Sequence, residues 1–173
     1  MHDRTRTANL LGAAALAVAD LVVDDTTRAA GVSASGAAAL VVLSASPGLS
    51  VTELGRRVGL SQPAAARMVD SLQAADLVTR HPGPGREVSV RPTSAGRRAA
   101  SRLLTARGEP LDELVSVLDP DEQDTLADLL AKLLTRLYTR VGSSELLCRL
   151  CDRASCTTND PCPVGKAERE QGR

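Results

Sequence analysis

Aromatic side chains are almost missing from this chain of 173 residues, which contains one Tyr, no Phe and no Trp. This scarcity excludes modules that stack nucleic-acid bases or sugars on exposed rings. Histidine is scarce as well, because His2 and His81 are the only two. The sequence has no Ser/His/Asp arrangement, no Gly-rich phosphate loop and no HExxH motif. It therefore predicts a protein that is not an enzyme.

The chain also lacks net charge, with 21 basic and 21 acidic residues. A uniformly basic, histone-like protein is excluded, but a basic face balanced by an acidic one is not. Residues 61–107 carry eight Arg against three acidic residues, a net +5, while residues 108–141 carry three basic and eight acidic residues, a net −5. An all-Arg block suits phosphate contact, because guanidinium binds phosphate oxygens in a planar fork. The alternative is an ordinary solvated face.

Long uncharged hydrophobic runs are missing too. Residues 10–23 are apolar and Ala-rich, and the Ala-Val-Ala at 17–19 resembles a signal-peptide cleavage site. However, Asp20, Asp24 and Asp25 continue this segment as an amphipathic helix. We therefore expect an N-terminal helix that seeks a partner face, and no membrane span. A signal peptide is the alternative.

Two consecutive helices are marked by their capping residues. Ser50 and Glu53 have the spacing of a capping box, and Gly59 ends the short helix that they begin. Ser61 is placed to cap the second helix. Apolar residues of this second helix recur at i, i+3, i+4 and i+7, which predicts an inward stripe. These residues are Ala65, Met68, Val69 and Leu72.

A hairpin comes next, with strands predicted over residues 77–80 and 87–91 and with Val88 and Val90 pointing inward. The loop at 81–86 is rich in Gly and Pro and ends in Arg. A short helix, a turn, a second helix with a polar outer face and a basic hairpin together are typical of a winged helix-turn-helix. In that arrangement the second helix enters the major groove of DNA, while the hairpin tip reaches the minor groove or the backbone.

The run SVTELGRRVGLSQPAAARMVDSLQAADLVTRHPGPGREVSVRPTSAGRR resembles the MarR family of bacterial transcriptional regulators. Downstream, LDPDEQDTLADLLAKLLTRLY looks like the closing dimer helix of that family. The resemblance implies a mainly α fold with a small β-hairpin wing and dimerisation helices at both ends. It further implies a cytoplasmic homodimer that binds double-stranded DNA as a repressor of a pseudo-palindromic operator, with a small-molecule effector.

Carried over by position, the resemblance also implies the DNA-contacting residues. On the recognition helix these are Ser61, Gln62, Pro63, Ala64, Ala66 and Arg67, and Arg86 is the wing residue. Pro84 stands where the family often has the Asp that orients the wing, and Pro92 replaces the usual Leu before the next helix. Further candidates for phosphate contact are Arg56, Arg97 and Arg98.

A helix is predicted to begin at Asp119 and to carry a long leucine stripe. Such a stripe forms either an internal core or a contact between subunits. Its members are Leu126, Leu129, Leu130, Leu133, Leu134 and Leu137. The predicted organisation is an N-terminal dimerisation helix (1–30), a DNA-binding domain (31–107), C-terminal dimerisation helices (108–147) and a cysteine-rich tail (148–173).

All four cysteines lie in this tail, as Cys148, Cys151, Cys156 and Cys162, with the spacing C-x2-C-x4-C-x5-C. A C-x2-C pair lets two thiolates point at one tetrahedral ion, so zinc is the first prediction. An iron–sulfur cluster is the second, and disulfides or unliganded thiols remain further alternatives. A metal here would be able to change operator affinity.

Two other functions stay open at this point. One is a secreted helical protein held by two disulfides, which requires the signal-peptide interpretation. The other is a winged helix that binds a protein partner and no DNA.

Overall fold

The computed structural model describes residues 3–83, 88–158 and 161–172. Twelve elements succeed one another in these ranges. They are α1 (Arg4–Ala30), α2 (Ala34–Ala45), β1 (Leu49–Ser50), α3 (Val51–Val58), α4 (Gln62–Ala74), β2 (Val78–Pro82), β3 (Val88–Pro92), α5 (Ser94–Val115), α6 (Pro120–Val141), α7 (Ser144–Leu147), α8 (Arg153–Cys156) and α9 (Pro163–Glu170).

The helix boundaries result from local capping chemistry. Asp3 caps α1 by accepting from the backbone N–H groups of Thr5 and Arg6, and α1 ends where Gly31 adopts a left-handed φ of 63°. At the start of α6, Asp119 and Glu122 form a reciprocal capping box. The predicted helix start at Asp119 is thus confirmed.

The three strands form one antiparallel sheet in the order β1-β3-β2. Both predicted hairpin strands are present, but the sequence did not reveal β1, whose two residues pair with β3. Val90 is fully buried as predicted, whereas the prediction that Val88 points into the core is wrong, because Val88 is 41% exposed. Val88 pairs with Pro82, where the hairpin has extended beyond the helices that cover its base.

A single core fills the winged-helix lobe, which we define as residues 34–107. It lies between α2, α3, α4, α5 and the sheet, and its largest buried side chains are those of Leu40, Leu43, Leu54, Leu72 and Leu103. Gly96 allows the closest packing, because a Cβ on it would lie 1.9 Å from the carbonyl oxygen of Leu77. The base of the hairpin is therefore seated directly on the first turn of α5. The predicted fold class, mainly α with a β-hairpin wing, is confirmed.

Candidate DNA-binding site and cysteine segment

The crossing of α3 and α4 positions the candidate recognition helix. A Cβ on Gly55 would lie 2.6 Å from the Cβ of Ala65, so the two helices touch at small residues. Between the helices, Gly59 adopts a left-handed φ of 75°, and the Leu60 N–H donates to the Gly55 carbonyl at 2.9 Å. This short, hydrogen-bonded turn fixes the angle at which α4 leaves α3.

The α4 helix has two distinct faces. Its predicted inward stripe is confirmed, because Ala65, Met68, Val69 and Leu72 are all buried. Of the predicted DNA-contacting residues, Ser61, Gln62, Pro63 and Arg67 are exposed or partly exposed, and Ala64 and Ala66 lie beside them on α4. These six positions share one outward surface at the N-terminal half of α4, which we call the α4 face.

Two capping predictions in this region are wrong. Ser61 occupies the N-cap position, but its side chain makes no capping hydrogen bond. Ser50 does accept from the Glu53 N–H at 3.2 Å, yet the Glu53 carboxylate does not complete the capping box. It accepts instead from Arg56 at 2.8 Å and from Arg57 at 2.7 Å. Charge-assisted bonds from two guanidinium groups are stronger than one from a backbone N–H.

The same contacts shift the ionisation of Glu53. The hydrogen bonds from Arg56 and then from Arg57 stabilise the carboxylate and lower its pKa to about 2. The pKa of Arg56 is raised in turn by its hydrogen bonds to Glu53 and Glu145. Arg56 is thus held in an ion-pair network, which is a poorer starting point for a phosphate contact than an unpaired guanidinium.

The wing is fastened to the recognition helix at its base. Arg80 on β2 donates to Asp70 at 2.7 Å and to Gln73 at 2.6 Å, both on α4. The predicted wing residue Arg86, together with Pro84, lies outside the described residues. The contacts of Arg80 therefore define how the base of the wing sits on α4.

Two further arginines lie on α5, where the hairpin returns to the lobe. Arg97 donates to the Pro92 carbonyl and to the Ser94 hydroxyl, both at 3.0 Å, while Arg98 is exposed. In the wing strand, His81 is engaged locally, since its Nε2 lies 2.9 Å from the Thr79 hydroxyl.

The four cysteines come together around one cavity of about 270 Å³. Cys148 directly follows α7, Cys156 ends α8 and Cys162 is the N-cap of α9. All four are free thiols. Neighbouring thiols in the order Cys148, Cys151, Cys156, Cys162 lie close enough to affect one another's ionisation. In the described parts of the chain, no group of three His, Cys, Asp or Glu residues is arranged as a set of metal ligands.

These contacts also separate the thiols by acidity. The hydrogen bond from Cys151 lowers the pKa of Cys148, and the pKa of Cys151 is raised because its proton is held by Cys148. Burial, followed by repulsion from Cys151, raises the pKa of Cys156 to about 11. Cys148 is therefore the most acidic of these three thiols.

A small second core supports the cysteine segment. Tyr138, the only aromatic residue, is fully buried beside Val164 and Ala167, and Cys148 and Cys162 pack against them. Among the described residues, the Tyr138 hydroxyl is the one buried side-chain oxygen or nitrogen that has no hydrogen-bond partner. The segment from α7 to α9 is thus folded against α6.

The cysteine segment also contacts the helix-turn-helix directly, which sequence reasoning missed. Arg56 on α3 lies 3.1 Å from the Glu145 carboxylate on α7. Leu146 Cδ1 comes within 3.0 Å of where a Cβ on Gly59 would lie. Leu150 packs against the core of the lobe. Because 89 residues separate Arg56 from Glu145, no local sequence pattern marks this contact.

The long outer helices α1 and α6 leave apolar side chains uncovered. A groove of about 730 Å³ between them is lined by Leu11, Ala15, Leu130, Leu133 and Leu137, among others. By length and composition alone, the window Arg4–Asp24 of α1 would suffice to cross a membrane, and none of it is buried. In this structure α1 packs along α5.

Comparison with protein families finds one match, which covers part of the lobe. A family model described as "MarR family" matches residues 30–87, which contain α3, α4 and the start of the wing. The match ends well before the first cysteine. No curated protein sequence matches the chain.

Solved structures show the same fold. YusO from Bacillus subtilis is 23% identical, with a TM-score of 0.66, over 77% of this chain and 96% of its own. MepR, a transcription regulator of the Staphylococcus aureus multidrug efflux pump MepA, is 17% identical, with a TM-score of 0.67, over 75% and 97%. The Mycobacterium tuberculosis MarR family protein Rv2887, in complex with salicylic acid, is 26% identical, with a TM-score of 0.53, over 71% and 95%.

Proposed function

We propose that this chain acts as a dimeric, cytoplasmic repressor that reads a pseudo-palindromic operator, because the MarR family model matches its winged helix at residues 30–87. The family and the structural neighbours are transcription regulators and not enzymes, in agreement with the prediction from the sequence. The observation that carries the proposal is the α4 face. Gln62 and Arg67 are exposed on it, while the opposite side of the helix is a buried apolar stripe.

The chemistry of the α4 face suits the major groove. Arg can donate two hydrogen bonds to guanine, and Gln can pair in the same way with adenine. The side chains of Ala64 and Ala66, on the same face as Gln62 and Arg67, are short, so the helix backbone can approach the DNA closely. Arg80 fastens the wing to α4 through Asp70 and Gln73, so both DNA-contacting elements would move as one unit.

A second copy of the chain is the partner that suits α1 and α6. The exposed leucines of α6 are too many for a helix that functions alone, since Leu129, Leu130, Leu133 and Leu137 are all more than 40% exposed. Covering them removes apolar surface from water at roughly 25 cal/mol per Å². A two-fold dimer would also present two α4 faces to two half-sites.

A small-molecule effector forms part of the proposal. The Rv2887 structure contains salicylic acid. In the present chain, a cavity of about 250 Å³ lies between the lobe and the cysteine segment. It is lined by apolar side chains such as Val41 and Leu104 and by charged side chains of both signs, among them Arg153 and Asp152. This mixed lining suits a small organic molecule with polar groups.

The DNA-binding proposal is tested with Arg67→Ala, using the duplex that the wild-type protein enriches from a random pool. We expect fluorescence anisotropy to show affinity weakened by about 1–3 kcal/mol, because a bidentate base contact is lost. Lys166→Ala, which removes a cation from an exposed position on α9, is the control and should leave the affinity unchanged. Equal affinity of wild type and Arg67→Ala would contradict DNA recognition through Arg67 of the α4 face, whereas failure of the wild type to enrich any duplex would favour a winged helix that binds a protein.

A further inference from the structure

We propose that Cys148, Cys151, Cys156 and Cys162 bind one Zn²⁺ as a tetrathiolate site, and that this site controls the recognition helix through α7. The second half of this inference rests on the proposed function, whereas the metal site itself does not. The family match ends at residue 87, so it assigns no role to the cysteine segment.

The backbone of the segment already has the turns that such a site requires. The Cys151 N–H donates to the Cys148 carbonyl at 3.0 Å, which closes the C-x2-C turn. At the other end, the Gly165 N–H donates to the sulfur of Cys162 at 3.4 Å. A backbone N–H aimed at sulfur stabilises a thiolate and orients it as a ligand.

The shared cavity favours a single ion, because all four cysteines line it. Tetrahedral zinc with Zn–S distances of about 2.3 Å places its sulfurs roughly 3.8 Å apart. In an iron–sulfur cluster the thiolates are bound to different irons, so they must lie further apart. On binding, each thiol releases its proton to solvent and forms a Zn–S bond, and no electron is transferred.

The surroundings also suit the charge of the site. Four thiolates around Zn²⁺ leave a net charge of −2, which needs cationic neighbours. Arg153 lines the same cavity as the four cysteines. Arg107 lines a second cavity with them, on the side facing α1 and α6.

The path from the site to the recognition helix is short and consists of direct contacts. Cys148 is the C-cap of α7, a helix of four residues. On that helix, Glu145 binds Arg56, and Leu146 lies beside Gly59, the residue that forms the turn between α3 and α4. Gathering the four sulfurs around one ion fixes the position of α7. Zinc therefore stabilises one placement of the turn, and hence of the α4 face, over others.

The metal site is tested on the full chain, purified without oxygen. We expect one zinc per chain by elemental analysis, and a visible cobalt–thiolate spectrum when Co²⁺ replaces zinc. Each Cys→Ser variant should lose stoichiometric zinc, whereas Ser155→Ala, within the same segment, should keep it. The cobalt titration uses the wild-type chain, so it shows whether the thiolates bind a metal ion even if a cysteine variant fails to fold. Absence of uptake, or iron with a broad visible absorption, would overturn the zinc site.

Control of the recognition helix is tested by hydrogen exchange over residues 51–74, which needs no DNA. We expect zinc to slow this exchange, and to change the DNA dissociation constant, by at least about fivefold in the wild type. In Leu146→Ala and Glu145→Gln, zinc should still bind, but the fold-changes that it causes in exchange rate and in DNA dissociation constant should both approach one. Lys166→Ala, an exposed position on α9, is the control and should behave as the wild type.

These measurements separate the two proposals. If zinc binds but changes neither exchange nor affinity, the control of α4 is wrong while the metal site stands. If the protein binds no DNA with or without zinc, the proposed function fails. Zinc content and exchange then still decide the present inference.

Discussion

In the winged-helix lobe, Leu40, Leu54 and Leu72 are at most 2% exposed, whereas on α6 the side chains of Leu129 and Leu137 are 51% and 46% exposed. Both regions are helical and rich in leucine, so composition does not distinguish them. The lobe buries its apolar face within one chain, because α2 to α5 enclose it together with the sheet. The outer helices α1 and α6 lack such a cover, which the proposed second copy would supply. The lobe should therefore stay folded when the dimer dissociates, whereas α6 should become less stable.

The largest expected effect comes from the lobe itself, with Gly96→Ala. A Cβ there would lie 1.9 Å from the Leu77 carbonyl oxygen, so the hairpin base has to move off α5. We expect a loss of roughly 3 kcal/mol or more in the free energy of unfolding, measured by urea denaturation.

Gly108→Ala in the same helix is the matched control. A Cβ on Gly108 would have no other atom within 4 Å of it. This substitution should stabilise the protein by roughly 0.5–1 kcal/mol, because Ala is the better helix former. A Gly96→Ala variant as stable as Gly108→Ala would contradict the close packing of hairpin and helix.

A second test addresses α6, with Leu133→Asp. An added charge on the leucine face should raise the dimer dissociation constant at least about 100-fold, since burying an unpaired carboxylate is unfavourable. Light scattering after gel filtration measures the mass. Lys132→Asp adds the same group one residue earlier, at a different angle around the helix, and should leave the dimer intact. A wild-type chain that is monomeric at micromolar concentration would contradict the proposal that a second copy covers the leucine face of α6.

A third, smaller effect concerns Glu53, with Glu53→Gln. We expect a loss of about 1 kcal/mol at pH 7, because both guanidinium contacts are weakened. The pKa of Glu53 is lowered to about 2 in the folded state, so its contribution is complete above pH 4.5 and is lost as the pH falls towards 2. The difference in free energy of unfolding between wild type and variant should therefore be smaller at pH 3 than at pH 7. Glu113→Gln, at an exposed site on α5, should show no such convergence.

The smallest effect is expected at Tyr138, with Tyr138→Phe. Its buried hydroxyl has no partner among the described residues, so its removal should change stability by about 0 to 1 kcal/mol, in the stabilising direction. Thermal unfolding measures the change. A loss of more than about 1 kcal/mol would indicate that the hydroxyl has a partner in the dimer.

The sequence predicted those features that depend on local chemistry. The stripe on α4, the start of α6 and the hairpin all result from periodicity, caps and turns within a dozen residues. Glu53 was misassigned because two nearby arginines compete with a backbone N–H for the same carboxylate. Strand β1 has two residues and no pattern of its own, since its pairing with β3 defines it.

The contact between the cysteine segment and α3 was beyond sequence reasoning for a different reason. Glu145 and Arg56 look like ordinary surface charges in their own helices, and only the folded chain brings them to 3.1 Å. The cysteine spacing pointed to a common site, and all four thiols do line one cavity. That this site adjoins the turn at Gly59 could not be foreseen.

Selection of bound duplexes from a random-sequence DNA pool tests the central claim most directly. The account predicts that the full-length protein enriches an inverted repeat whose half-sites are centred about one helical turn apart, roughly 34–36 Å. The Arg67→Ala variant should lose the preference at one position in each half-site. Recovery of sequences with no common element, or of a single unrepeated half-site, would contradict a dimer that reads DNA through two α4 faces.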